Sequence, residues 1–226
     1  MAERLVLIDI NGVLVKDSRD VSEYVAEAIR SRYGLEAHFN LSDYEGASAQ
    51  DMLRDILAKN GVSDDEINAR LQGCAEELGY SYYNVTGREA IVVLDGAKQL
   101  LGELVKKGIL VGIATGDIED IVKNKLERAG LSDYFKFGEY GNREASLEKI
   151  IRNAVERAKK EFDFSGQSVW ILSSTPRMLS AAKAAGVNAL GVESGQHDSS
   201  ELSAAGAAEV VKGVKERSNI IKAVLG

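Results

Sequence analysis

The chain has 226 residues, of which 45% are hydrophobic and 28% are charged, so it is long and apolar enough to bury a sizeable core. Its formal net charge of −7 and the lack of a Lys/Arg cluster with interleaved aromatic residues disfavour nucleic acid as a partner. Cys74 is the only cysteine, which excludes an intramolecular disulfide, and the apolar run at residues 5–8 is too short for a signal peptide or a membrane span. We therefore expect a cytoplasmic protein with no membrane partner.

Four short apolar runs predict the strands of a buried sheet. They lie at residues 4–9, 109–115, 168–172 and 188–192. None alternates between apolar and polar residues, which is typical of strands covered on both faces. Because helical patterns separate the runs, we expect parallel strands joined by helices. The predicted fold class is α/β, with a doubly wound parallel sheet.

A helical insert interrupts this alternation after the first strand. Apolar residues recur at helical spacing between about residues 17 and 84, and the segment Ser63-Asp64-Asp65-Glu66 is typical of a capping box. We predict a core domain of residues 1–16 and 85–226 and a helical cap domain of residues 17–84. The cap leaves the core beside the end of the first strand, so it is placed to act as a lid. Residues 195–207, rich in Ser, Ala and Gly, predict a loop.

Polar residues follow three of the predicted strands. They are Asp9, then Thr115 with Gly116, then Ser173 with Ser174. In an open parallel sheet, ligands bind outside the carboxyl ends of the strands, so these residues are the candidates for a site. Each also has a plainer interpretation as a residue that ends a strand or caps a helix.

Three of these segments together resemble the motifs of the haloacid dehalogenase superfamily. They are LVLIDINGVL at residues 5–14, IATGD at residues 113–117 and the Ser-Ser-Thr-Pro turn at residues 173–176. The segments AGLSDYF at residues 129–135 and AGVNALGVESG at residues 185–195, with the helical insert, are similar to the phosphoglycolate-phosphatase-like branch. The order and spacing of the three motifs carry this resemblance.

The resemblance implies a phosphatase that acts on a small phosphorylated metabolite. Asp9 would attack phosphorus and form an aspartyl-phosphate, and Thr115 would hydrogen-bond the transferring group. A cation would neutralise its charge; Arg143 lies at about the right place, and Lys149 and Lys125 are alternatives. The substrate-binding residues implied beside them are Gly12, Gly116, Ser173 and Ser174.

The departures from the family pattern concern acid-base catalysis and metal binding. Asn11 replaces the aspartate that protonates the leaving oxygen, a loss of roughly 100- to 10,000-fold in rate. Ser174 and Met178 replace carboxylates that help to hold Mg²⁺. The metal ligands that remain are Asp9 and the backbone carbonyl of Asn11, and Mg²⁺ prefers a fuller shell of oxygen ligands. We therefore predict weak Mg²⁺ binding and weak or specialised activity.

Two alternative functions are consistent with the same departures from the family pattern. The dehalogenases of this superfamily work without metal and carry a Ser-Ser pair, as at Ser173 and Ser174, although they keep a carboxylate near Met178 and a threonine at the position of Val13. The other alternative is a catalytically impaired protein that binds a metabolite or a partner through the old cleft. A hydrolase of phosphatase type remains the leading interpretation.

Overall fold

The computed structural model describes residues 2–16, 21–85, 91–193 and 195–226. The strands are β1 (Ala2–Ile8), β2 (Val15–Lys16), β3 (Val92–Val93), β4 (Leu110–Thr115), β5 (Gly138–Tyr140), β6 (Phe164–Ser173), β7 (Asn188–Val192) and β8 (Glu209–Val211). The helices are α1 (Ser22–Tyr33), α2 (Ala49–Lys59), α3 (Asp64–Val85), α4 (Ala97–Lys106), α5 (Glu119–Ala129), α6 (Leu147–Glu161), α7 (Pro176–Ala185), α8 (Ser199–Ala204) and α9 (Arg217–Leu225). Among the described helices, none combines the length and apolar character that crossing a bilayer requires.

A parallel sheet forms the centre of the molecule. Within the described ranges it has six strands in the order β5-β4-β1-β6-β7-β8, and every neighbouring pair is parallel. In this register Ile8 lies level with Ile113 of β4 and with Leu172 of β6. The residues that follow these three strands therefore meet at one edge of the sheet. The predicted doubly wound α/β fold is confirmed.

Both faces of the sheet are covered, as the uniformly apolar strands predict. Val6 and Ile8 of β1 pack in a cluster with residues of α4, α5 and α9, and Leu5 and Leu7 pack in a second cluster with residues of α6 and α7. All four side chains are fully buried. The two clusters lie on opposite sides because successive side chains of a strand point to opposite faces.

The helices α1, α2 and α3 share a third buried cluster, which also includes Ile118 and Ile121 of the core. The short strands β2 and β3 pair antiparallel where the chain leaves the core and returns to it. The division into a core domain of residues 1–16 and 85–226 and a cap domain of residues 17–84 stays a prediction, and residues 17–20 and 86–90 at its borders lie outside the described residues.

The first turn of α2 joins the inserted helices to the core through backbone hydrogen bonds. The amide of Ala49 donates to the carbonyl of Gly116 at 2.7 Å, and the amide of Gln50 donates to the carbonyl of Gly141 at 3.1 Å. Gly116 and Gly141 follow β4 and β5. The first amides of a helix have no partner within the helix, and here residues that follow β4 and β5 provide partners for the first two.

Several short elements were not predicted from the sequence, among them β5, β8 and α8. The edge strands β5 and β8 have three residues each, too few to show a pattern. The loop prediction for residues 195–207 is wrong at residues 199–204, which form α8. Its start is fixed by a capping box, in which Asp198 accepts from the amide of Glu201 and the Glu201 side chain accepts from the amide of Asp198.

Candidate active site

The carboxylate of Asp9 is held between two hydroxyl groups at the carboxyl edge of the sheet. Thr115 Oγ1 donates to Asp9 Oδ1 at 2.8 Å, and Ser173 Oγ donates to Asp9 Oδ2 at 2.9 Å. The three residues directly follow or end β1, β4 and β6, which are neighbours in the sheet, and all three are buried. The structure thus brings together the strand-end residues that the sequence singles out.

Burial controls the protonation of Asp9. Loss of hydration raises the pKa of its carboxyl group from 3.8 to about 6, and the negative charge of Asp117 acts in the same direction. The hydroxyl donors Thr115 and Ser173 and the positive charge of Lys125 lower the pKa and limit the rise. Asp9 is therefore mostly ionised at neutral pH, which is the form that a nucleophile requires.

A second hydrogen-bonded group lies beside Asp9 and consists of Asn11, Asp117 and Lys125. Lys125 Nζ donates to Asn11 Oδ1 and to Asp117 Oδ2, both at 3.0 Å. Asn11 Nδ2 donates to the same Asp117 oxygen at 3.1 Å. The other oxygen of Asp117 accepts from the amide of Ile118 at 2.8 Å. The side chain at position 11 is thus held in place by an anion and a cation.

Of the three cations considered from the sequence, only Lys125 reaches this group. Its side chain is 5% exposed. The Arg143 side chain is 56% exposed and pairs with Glu119, and that of Lys149 is 68% exposed and lies 3.9 Å from Glu144. The structure therefore places Arg143, the first choice from the sequence, outside the cluster.

The sequence pattern of α5 indicates that Lys125 is buried and needs a charged partner. The residues Ile121, Val122 and Leu126 form the buried stripe of α5, and Lys125 occupies a position on that same face. A lysine on a buried helical face requires a partner, because an unpaired charge there is costly. Asp117, which ends the IATGD segment, is the residue of this group to which the sequence interpretation gave no role.

Two glycines allow close contacts around the site. A Cβ at Gly12, whose φ is +70°, would lie 2.3 Å from Ser174 Oγ. A Cβ at Gly116 would lie 2.5 Å from the carbonyl oxygen of Ala47. The first contact brings the loop after β1 against the turn after β6, and the second brings the inserted helices against the loop after β4.

A cavity of about 640 Å³ opens above Asp9, between the sheet edge and the inserted helices. This size suits a small organic molecule. The polar residues at its floor are Asp9, Asn11, Thr115, Asp117, Lys125, Ser174 and Thr175. Gly12 and Gly116 also line it, whereas Arg143 is not among the lining residues.

A model of the haloacid dehalogenase-like hydrolases matches residues 3–186. The chain belongs to this family. The matched span includes Asp9, directly after β1, and Thr115, at the end of the adjacent strand β4, and both residues line the cavity.

Two curated relatives of this family member are phosphoglycolate phosphatases. The protein of Vibrio vulnificus (strain CMCP6) is 24% identical over 133 residues, which are 58% of this chain and 58% of the relative. The protein of Pseudomonas fluorescens (strain Pf0-1) is 26% identical over 200 residues, which are 85% of this chain and 70% of the relative. The chain thus spans little more than half the length of the first of these proteins.

Solved structures of haloacid dehalogenase-like proteins share the fold. CbbY from Rhodobacter sphaeroides, crystallised in complex with phosphate, superposes with a TM-score of 0.70 at 19% identity, covering 96% of each chain. This similarity extends over the inserted helices as well as the sheet.

The residues present do not fit the Mg²⁺ site that the family resemblance implies. Both oxygens of Asp9 accept hydroxyl hydrogens, and the carbonyl oxygen of Asn11 accepts one from Ser174 Oγ at 3.1 Å. Met178 lies in the core, 1% exposed, and not at the site. In the part of the chain that the structure describes, no three His, Cys, Asp or Glu residues are grouped to hold a metal.

Proposed function

We propose that this chain is a hydrolase of phosphatase type that transfers the phosphoryl group of a small phosphorylated metabolite to Asp9. The observation that carries the proposal is the position of Asp9: buried, held by Thr115 and Ser173, and facing the cavity. The names of the two curated relatives support the phosphatase type. The size of the cavity, about 640 Å³, supports a small organic substrate.

The proposed reaction has two steps. An oxygen of Asp9 attacks phosphorus while the bond from phosphorus to the leaving oxygen breaks, and the leaving oxygen takes a proton from water. A second water then attacks the aspartyl-phosphate, which releases inorganic phosphate and restores the Asp9 carboxylate. Lys125, beside the carboxylate, stabilises the negative charge on the transferring group. Asn11 supplies no proton, because an amide is not an acid at neutral pH.

The charges of the floor support a low rate. With Asp9 ionised, the carboxylates of Asp9 and Asp117 and the ammonium group of Lys125 leave one net negative charge. Lys16 and Glu45 also line the cavity and cancel each other. A phosphate dianion is therefore repelled at short range. We expect slow turnover that does not depend on Mg²⁺.

Phosphate release from a panel of phosphomonoesters tests the proposal. Each ester is incubated with the wild-type chain, with Asp9→Asn and with Asp133→Asn, a matched change on the surface, in EDTA and in Mg²⁺. We expect release by the wild type and by Asp133→Asn in EDTA, and none by Asp9→Asn. Equal release by Asp9→Asn would exclude Asp9 as the nucleophile, and no release from any ester would refute the phosphatase.

A second candidate is hydrolysis at carbon in the manner of a 2-haloacid dehalogenase. Ser173 and Ser174 favour it, because their hydroxyl groups bind the two oxygens that a metal would otherwise occupy. Asp9 would displace halide from carbon, and water would then hydrolyse the resulting ester. Halide leaves without a proton, so Asn11 is no obstacle. Halide release from 2-haloacids in EDTA distinguishes this reaction, and silence in both assays would favour a binding protein.

A further inference from the structure

The upper wall of the cavity differs from its floor because it is apolar. Its side chains come from α1, α2, α3, the start of α5 and the segment between α1 and α2. They are Val21, Val25, Leu41, Met52, Leu78, Ile118 and Ile121. Val25, Leu78, Ile118 and Ile121 are buried, and the others are partly buried. A bound molecule with its reacting group at Asp9 would place the rest of its surface against these side chains.

Two polar side chains near this wall, those of Tyr44 and Glu45, are engaged with other groups. The Tyr44 hydroxyl donates to Asp55 Oδ2 at 2.7 Å, so its ring and not its hydroxyl is available to the cavity. Glu45 lies 3.5 Å from His197 Nε2. The other polar side chains outside the floor are Lys16, Ser42 and Gln196, so the part of the wall that α1, α2 and α3 form is apolar.

The cations of the inserted helices also lie elsewhere. Arg32 pairs with Glu77, Arg70 pairs with Glu66, and Arg54 donates to Asn68. None of these arginines lines the cavity, and Lys16, which does, is exposed at its mouth. Within the described ranges, the wall thus offers no cation to a substrate carboxylate. A carboxylate or a row of hydroxyl groups buried there would lose its hydration without a replacement.

We propose that the body of the substrate, the part that carries the reacting group, is an alkyl or aryl group. This inference rests on the proposed function, because that function places the reacting group at Asp9. It separates this chain from enzymes whose substrate body is a short carboxylate or a sugar. Burial of apolar surface then supplies the affinity that the negatively charged floor does not.

Binding of a homologous series of alkyl phosphates measures how much affinity the apolar wall contributes. Ethyl, butyl and hexyl phosphate are titrated by calorimetry into Asp9→Asn, which removes turnover and one negative charge, alongside glycerol 3-phosphate and 2-phosphoglycolate. If each added methylene is buried, the affinity should rise roughly four-fold per methylene. Hexyl phosphate should then bind far more tightly than either polar ester.

A polar substitution in the wall locates the effect. Met52→Gln on α2 is partly buried and introduces an amide into the wall, so we expect a smaller gain per methylene. Ala58→Gln, on an exposed position of the same helix, is the matched control and should keep the full gain. Leu41→Asn provides a second position, in a different segment, in case Met52→Gln disturbs the packing of α2.

The outcomes separate this inference from the proposed function. Chain-length-dependent binding without phosphate release by the wild type would support the apolar body and refute the phosphatase. Phosphate release from glycerol 3-phosphate or 2-phosphoglycolate, with affinity that does not change along the alkyl series, would support the phosphatase and overturn the apolar body. An unchanged gain in both wall variants would also overturn it.

Discussion

Ser174 Oγ donates a hydrogen bond of 3.1 Å to the backbone carbonyl oxygen of Asn11. This carbonyl and the Asp9 carboxylate are the Mg²⁺ ligands that the family resemblance implies, and Ser173 donates to the carboxylate in the same way. Hydroxyl donors therefore occupy one acceptor site on each of the oxygens that a cation would use. The serine pair is a positive feature of this site, and not only the loss of an acidic one.

The first prediction concerns Mg²⁺ affinity. The wild-type chain should bind Mg²⁺ weakly, and the double variant Asn11→Asp with Ser174→Asp should bind it roughly ten-fold or more tightly, because two carboxylates are added to Asp9. Calorimetric titration with Mg²⁺ measures both. Ser180→Asp, on the exposed side of α7, is the control and should leave the affinity unchanged. Tight binding by the wild type would contradict the argument.

The second prediction concerns pH. Since the pKa of Asp9 is raised to about 6, the reactive carboxylate forms as the pH rises through that value, and substrate turnover should rise with it. Ser173→Ala removes a hydrogen bond that lowers the pKa, so the midpoint should move to higher pH. The pH profile of turnover is measured for both, with Ser180→Ala as the control. A midpoint that stays in place in Ser173→Ala would rule out this role for Ser173.

The third prediction concerns stability. The folded state holds the Asp9 proton more tightly than the unfolded state, so the stability from this group is present at low pH and is lost as the pH rises through about 6. At about pH 8 the ionised, buried carboxylate costs about 3 kcal/mol. Asp9→Asn should therefore stabilise the protein at about pH 8 and roughly half as much at about pH 5. Urea denaturation at the two pH values measures this, and an equal gain at both would contradict it.

The fourth prediction distinguishes the cations. Lys125→Met should reduce the free energy of unfolding by about 3 kcal/mol, because the Asp117 carboxylate loses its partner in a mostly buried site. Adding Asp117→Asn should recover much of that loss. Arg143→Met, at an exposed position, should change stability by less than about 0.5 kcal/mol. Turnover should be lost in Lys125→Met and kept in Arg143→Met. Loss of turnover only in Arg143→Met would identify Arg143 as the functional cation.

The fifth prediction concerns the intermediate. Because Asn11 cannot activate water, the aspartyl-phosphate should be long-lived once it forms and visible by intact-mass spectrometry after quenching. Asn11→Asp should shorten its lifetime, whereas Asn153→Asp on the exposed face of α6 should not. A lifetime that Asn11→Asp leaves unchanged would show that position 11 does not limit the second step.

Much of the fold and the grouping of the strand-end residues could be predicted because they depend on local pattern. A run such as residues 5–8, apolar at every position, implies a strand covered on both faces, and the parallel register then brings the residues after three strands together. Asp9, Thr115 and Ser173 follow from this reasoning alone.

The other residues of the site come together through the packing of segments that are distant in the sequence. Lys125 reaches Asn11 from the face of a helix ten residues beyond Thr115, and a surface arginine in a motif-like segment was the more obvious choice. The apolar wall is similarly hidden, because the same stripes that build the shared core of α1, α2 and α3 also face the cavity. Sequence periodicity shows that a residue is buried but not which of two buried surfaces it meets.

The two backbone bonds from the start of α2 to Gly116 and Gly141 have a kinetic consequence. Gly116 directly follows Thr115. The same short loop therefore places the Thr115 hydroxyl against Asp9 and bonds to the start of α2, one of the inserted helices above the cavity. Widening the cavity at this side breaks both bonds and exposes two helix amides to water. Under the proposed function, a movement of α2 that released product would therefore also disturb the loop that holds Thr115 against Asp9.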